Sequence, residues 1–175
     1  MSMAEIYGKS LYTLAYEEKM TELIYTDLKS VLSLFKENPD YVKILDSPQI
    51  GKSKLLGIID EDFKDAVNTY TLNFLKVLCE KRIVRYFDEC FDVYEKQYNS
   101  DNNIKIVSIT TAKELTPSLE EKLLEKLKAK MGGEIVLEKR VDETQIGGII
   151  IETDGIRIDS SLKSELNNLK RALTE

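Results

Sequence analysis

The sequence predicts an α+β protein, mainly α: an N-terminal six-helix bundle followed by a small C-terminal α/β domain with a mixed sheet and two helices. Three observations predict it. Apolar residues recur at helical period through about the first hundred residues and alternate at strand period after them. All nine tyrosines and all five phenylalanines stand at or before Tyr98. Between the two regimes lies Asn99-Ser100-Asp101-Asn102-Asn103, a polar stretch that reads as linker or turn. Beyond it the apolar set is Ile, Val, Leu, Ala and one Met. This change in core chemistry divides the chain into domains at 1–100 and 104–175.

The helices follow in order. Ser2-Met3-Ala4-Glu5 has the capping-box spacing that opens the first, with Tyr7, Leu11, Leu14 and Ala15 as its stripe. A second carries Met20, Leu23, Ile24, Leu28, Val31, Leu32 and Phe35. Asn38-Pro39 ends it and opens a short third, the asparagine as cap and the proline in the first turn. Ser47-Pro48 breaks the chain again before a fourth through Leu55, Leu56, Ile58 and Ile59. A fifth is expected from Phe63 to Lys81 and a sixth from Ile83 to Tyr98.

The second part changes period. Ile104 to Thr110 is a β-branched strand. Thr116-Pro117 caps a helix with Leu119, Leu123, Leu127 and Met131 on one side, and Gly132-Gly133 stops it. Ile135 to Val141, Gly148 to Thr153 and Ile156 to Asp159 are strands, the last two joined by the hairpin signal Asp154-Gly155. Asp159-Ser160-Ser161 starts a final helix with Leu162, Leu166, Leu169 and Leu173 inward.

Composition narrows the chemistry. The net charge is −6 with both halves acidic, which argues against nucleic acid as a partner. No apolar run approaches the roughly 18 to 20 residues that span a bilayer, so direct membrane insertion is not expected. The N-terminus lacks a secretion-signal pattern, and cytosolic residence is the default. Histidine is absent, which removes the commonest general base and metal ligand. Cys79 and Cys90, the two cysteines, read as buried apolar filler in a reducing compartment rather than as a zinc site.

Apparent motifs dissolve on inspection. Gly51-Lys52-Ser53 ends like a phosphate-binding loop, but the glycine needed five residues earlier is Asp46, whose charge repels phosphate. Gly147-Gly148 is followed by a strand and not a helix, so it reads as a bulge or close backbone approach. Asp142, Asp154 and Asp159 fall at a strand end, a hairpin turn and a helix entry. No catalytic residue, metal site or cofactor is expected.

What survives is surplus apolar surface. Tyr12 and Tyr16 project away from the Tyr7/Leu11/Leu14 stripe, with Gly8 between the two faces permitting close approach. On the fifth helix Phe63, Val67, Tyr70, Phe74 and Leu78 form one stripe, and Leu72, Leu75 and Cys79 form another. Such a helix is buried either by its own bundle or by a partner.

The residues also carry a resemblance. Tyr7-Gly8-Lys9-Ser10-Leu11-Tyr12-Thr13-Leu14-Ala15 is similar to the opening helix of the ATP synthase delta subunits, whose mitochondrial counterpart is the oligomycin-sensitivity-conferring protein. Gly8 stands where that family usually has alanine. Asn38-Pro39, Leu45-Asp46-Ser47-Pro48 with Lys54, and Lys81-Arg82 match its middle section. The most specific match is Val141-Asp142 with Ile146-Gly147-Gly148-Ile149, continuing through Asp154-Gly155 to Asp159-Ser160-Ser161-Leu162.

The resemblance implies a non-catalytic stator subunit of the peripheral stalk, at the cytoplasmic face of the cell membrane. It implies α-subunit N-terminal helices as partners of the bundle and membrane-anchored b subunits as partners of the C-terminal domain. Tyr7, Gly8, Leu11, Tyr12, Tyr16, Leu72, Leu75 and Cys79 are then the expected α-subunit face. Two other readings stand beside it. A generic helical adaptor binding amphipathic helices would share the bundle without needing the C-terminal strand series, and a small carboxylate hydrolase would show turnover.

Overall fold

The computed structural model describes residues 2–144, 148–153 and 156–159. The chain divides into two compact units, Met1–Asn99 and Ser100–Glu175. The architecture is α+β and mainly α, a six-helix bundle followed by a mixed four-stranded sheet with a covering helix.

In the bundle, α1 (Met3–Glu17) opens on a complete capping box: Ser2 Oγ accepts from the Glu5 N–H at 3.1 Å, and the Ser2 N–H donates to Glu5 Oε2 at 2.8 Å. Helix α2 (Thr21–Glu37) buries Ile24, Leu28, Val31 and Phe35, a clean helical stripe. The cap between it and α3 (Pro39–Leu45) differs from expectation. Asn38 makes no side-chain cap to α3; its Nδ2 donates backwards to the Leu34 carbonyl at 3.0 Å and closes the end of α2.

The fourth and fifth helices also part company with the sequence pattern. Phe63 ends α4 (Lys52–Phe63), and α5 begins only at Thr69 (Thr69–Lys81). The apolar period runs straight through the break, but distant groups impose it. Asn68 caps α5 by accepting from the Tyr70 N–H at 2.9 Å, while its own N–H donates to Asp27 Oδ2 on α2 at 2.7 Å. The buried Thr71 hydroxyl donates to the same carboxylate oxygen at 3.1 Å. A 3-10 turn (Val84–Tyr86) replaces the expected start of the sixth helix, and α6 runs Phe87–Asp101.

In the second unit, β1 (Ile104–Thr111) pairs in parallel with β2 (Glu134–Val141) across the crossover helix α7 (Pro117–Met131). On its other side β1 pairs antiparallel with β3 (Ile149–Thr153), which pairs antiparallel with β4 (Ile156–Asp159), giving the order β2-β1-β3-β4. Val107, Ile109 and Ile135 point from the sheet at Leu127 of α7, with Leu123, Leu124 and Met131 packed around them. Leu119, expected on that side, is exposed. The expected final helix, with Leu162, Leu166, Leu169 and Leu173, lies outside the described residues.

Candidate interaction surfaces

The inward face of α1 is Ala4, Gly8, Leu11, Tyr12 and Ala15. That rotates the helix relative to the predicted stripe. Tyr12 turns into the core, edge-on to Tyr94 on α6 with ring centroids 5.1 Å apart. Tyr94 is itself fully buried, and its hydroxyl donates to the Thr21 carbonyl at 2.9 Å. Gly8 explains the rotation. A Cβ there would stand 2.7 Å from the Cys90 carbonyl oxygen and 2.9 Å from Val93 Cβ, so glycine lets α1 lie directly on α6. Leu14 is 37% exposed in place of Tyr12, while Met3 (57%) and Tyr16 (64%) face outward.

On α5 the second apolar set finds its cover within the bundle. Leu72, Leu75 and Cys79 are buried along with Phe74 and Leu78, so this is a central helix. The expected α-subunit face therefore does not assemble as one surface. Gly8, Leu11, Tyr12, Leu72, Leu75 and Cys79 line the interior; Tyr7 is half-buried and Tyr16 stands out on its own. Outside the interior stand Met3 and Leu14 on α1 and Val77 on α5, while Tyr7 and Tyr70 are half-buried and pack against the core. Met3, Tyr7 and Leu14 share a face by their spacing on α1, and Tyr70 and Val77 (39% exposed) share one on α5. The negative charge of Glu18, just past α1, holds the Tyr70 phenol above its usual range and accepts its hydrogen bond.

The middle-section residues form a clamp that the sequence did not announce. Arg82 ends α5 in the left-handed region at φ +57, and its guanidinium donates to the carbonyls of Ser47 and Ile50. Asp46 accepts from the backbone N–H groups of Val84 at 2.8 Å and Arg85 at 3.2 Å. Asp46 thus caps the 3-10 turn, as an acceptor at a helix entry does. Gly51, in extended conformation, precedes α4 as its N-cap. The Gly51-Lys52-Ser53 stretch is a helix start.

In the C-terminal motif, Asp142 makes side-chain hydrogen bonds. Its N–H continues the ladder to the Thr111 carbonyl at 2.8 Å, and its Oδ1 accepts from the Thr144 N–H at 3.0 Å and hydroxyl at 2.5 Å. This is a turn-forming aspartate at a strand end. Gly148 holds φ +91 at the entry to β3, a conformation that favours glycine. Asp159 ends β4. Ile146, Gly147, Asp154, Gly155 and Ser160 lie outside the described residues.

The remaining chemistry is subdued. Burial pushes the Cys79 thiol up to about 12 and the Cys90 thiol up to about 11, so neither is a ready thiolate at neutral pH. Among the described residues no group of three or more Cys, Asp or Glu could hold a metal ion, and no helix is long and apolar enough to cross a membrane.

Comparison with known proteins agrees over the full length. The family described as ATP synthase delta (OSCP) subunit matches residues 3–173. The ATP synthase subunit delta of Clostridium botulinum (strain Loch Maree / Type A3) is 34% identical over 167 residues, covering 95% of this chain and 93% of the relative. That of Clostridioides difficile (strain 630) is 28% identical over 174 residues, covering 99% and 96%. A chain in the cryo-EM structure of the Toxoplasma gondii mitochondrial ATP synthase hexamer shares the fold, with a TM-score of 0.77 at 18% identity, over 100% of this chain and 99% of that one. On a family match over nearly the whole chain and relatives 34% identical to it, the chain belongs to the ATP synthase delta (OSCP) subunit family, the non-catalytic stator subunits of the peripheral stalk.

Proposed function

We propose that the two units divide the two attachments of the stator. Residues 1–100 bind N-terminal helices of α subunits on the catalytic head, and residues 104–175 bind the ends of the membrane-anchored b subunits. The subunit then works at the cytoplasmic face of the cell membrane. By tying head to membrane arm it keeps rotation inside the complex from dragging the head around, so torque drives synthesis and ion transport stays coupled to it.

The observation that carries the first attachment is exposed apolar surface on two helices: Met3 and Leu14 on α1 and Val77 on α5, each sharing a helix face with a half-buried tyrosine, Tyr7 and Tyr70. An amphipathic helix lies along such a surface with anchors at helical spacing. The tyrosines suit the edge of an interface, because the ring buries area while the hydroxyl stays wet.

The test is titration of the full chain with a peptide from the α-subunit N-terminus. A variant with Met3→Glu, Leu14→Glu and Val77→Glu is expected to weaken binding at least about tenfold, since each change charges the apolar surface without touching the interior. Equal affinity for variant and parent chain would remove this surface from consideration.

A further inference from the structure

At the carboxyl ends of the parallel strands β1 and β2, a groove of about 300 Å³ opens beside the segment that leads into α7. Its base is apolar: Ile109 is buried, and Leu115 and Val141 line the sides. Its polar groups are not equivalent. The Thr111 hydroxyl already donates to the Lys113 carbonyl at 2.7 Å, and Lys139 Nζ pairs with the Glu120 carboxylate at 2.9 Å. Glu114, exposed at the groove, pairs with no cation among the described residues. Val141 is 49% exposed, and so is much of Leu119, one residue before the Glu120 that holds Lys139.

An apolar hollow with an exposed aliphatic lip and one unmatched carboxylate selects its occupant. The volume is at the small end of ligand pockets, which run from roughly 300 to 1,000 Å³, and so matches one large side chain. Lys139 is engaged by both oxygens of the Glu120 carboxylate, so the charge left uncompensated at the groove is that of Glu114, which attracts a cation. We propose that this groove seats one large apolar side chain of a b-subunit helix, with a Lys or Arg about one turn away on that helix pairing with Glu114. The assignment rests on the b-subunit reading of the C-terminal unit and names the spot at which that partner is gripped.

The experiment titrates the full chain with a peptide from the carboxyl-terminal end of a b subunit and follows thermal melting of each variant alongside. Val141→Asp is expected to weaken binding at least about tenfold, the size of losing one anchor. Glu114→Lys is expected to weaken it less, and a peptide whose basic residue is replaced by Glu is expected to restore affinity for that variant alone. Both positions are exposed, so melting should stay unchanged. Peptide binding to the parent chain that neither variant alters overturns the groove and leaves the b-subunit reading standing. No binding to the parent chain overturns both. Unaltered affinity with a lowered melting temperature in Val141→Asp assigns the groove to the chain's own packing. Self-association that Val141→Asp dissolves assigns it to a second copy. Either of these last results also overturns the proposal.

Discussion

In the bundle, Phe35 stands edge-on to Phe63 and Phe87 with ring centroids 6.3 and 5.1 Å apart, and Tyr25 stacks on Tyr98 at 4.5 Å. In the C-terminal unit the buried apolar set among the described residues is Val107, Ile109, Leu127 and Ile135, with no ring among them. The backbone differs in the opposite sense. Asn103, Gly132, Gly133 and Gly148 hold positive φ in the smaller second unit, against Lys19 and Arg82 in the first. The first unit is shaped by interlocking side-chain volume, the second by ladders and a few special backbone positions. A lost contact in the bundle is shared among many neighbours, whereas a wrong backbone angle in the sheet unit has few contacts to oppose it.

The largest expected effect tests that contrast directly. Gly133 holds φ +80, and a Cβ there would overlap the carbonyl oxygen of Asn103, the same atom that accepts the Glu134 N–H at 3.1 Å to start β2. Gly133→Ala should cost roughly 3 kcal/mol, positive-φ strain plus displacement of that carbonyl. Because every ring lies at or before Tyr98, near-ultraviolet dichroism reports the bundle alone. The signature is faster amide exchange in β1 and β2, with the tyrosine signal intact and Cys79 and Cys90 still protected from thiol reagents. Loss of the tyrosine signal at the same temperature would mean the two units melt as one, which breaks the contrast.

Arg82→Ala comes next. It strips charged hydrogen bonds from the carbonyls of Ser47 and Ile50, worth about 2 kcal/mol. Here the bundle depends on backbone groups as the sheet unit does. Chemical denaturation followed by tyrosine dichroism is the measurement, and a midpoint equal to that of the parent chain would deny the clamp any weight.

Gly8→Ala is the smallest. Overpacking against the Cys90 carbonyl and Val93 costs about 1–3 kcal/mol, and the gain in helix propensity returns about 1. A net loss of roughly 1 kcal/mol is expected. A raised melting temperature would show that α1 and α6 separate at little cost.

The outline of this fold was readable from local chemistry, and its departures have long-range causes. Ser2 and Glu5 sit three residues apart and need only each other, so the first cap could be read directly. The strands announce themselves by alternation, and the parallel β1–β2 pair follows from a helix lying between them. The gap between α4 and α5 could not be read in this way. Phe63, Val67, Tyr70, Phe74 and Leu78 keep one helical period across it, and the group that holds Asn68 in place is Asp27, on another helix. Likewise, whether Tyr12 or Leu14 faces inward depends on how closely α6 can approach Gly8. The residues expected to share one exposed face fall largely inside the bundle for the same reason: period shows that α5 is apolar on most sides, but only packing shows how many sides the bundle itself covers.

The place where β1 begins has a consequence for a subunit under load. Helix α6 ends at Asp101 and β1 starts at Ile104, so tension passing along the chain between the units enters the sheet at one end of a strand bonded on both sides. Pulled along its own axis, such a strand must slide past β2 and β3, with the hydrogen bonds of each ladder resisting together. An edge strand pulled sideways would open one bond at a time. A load directed along β1 would therefore be shear, the direction in which a small sheet with a thin interior is strongest.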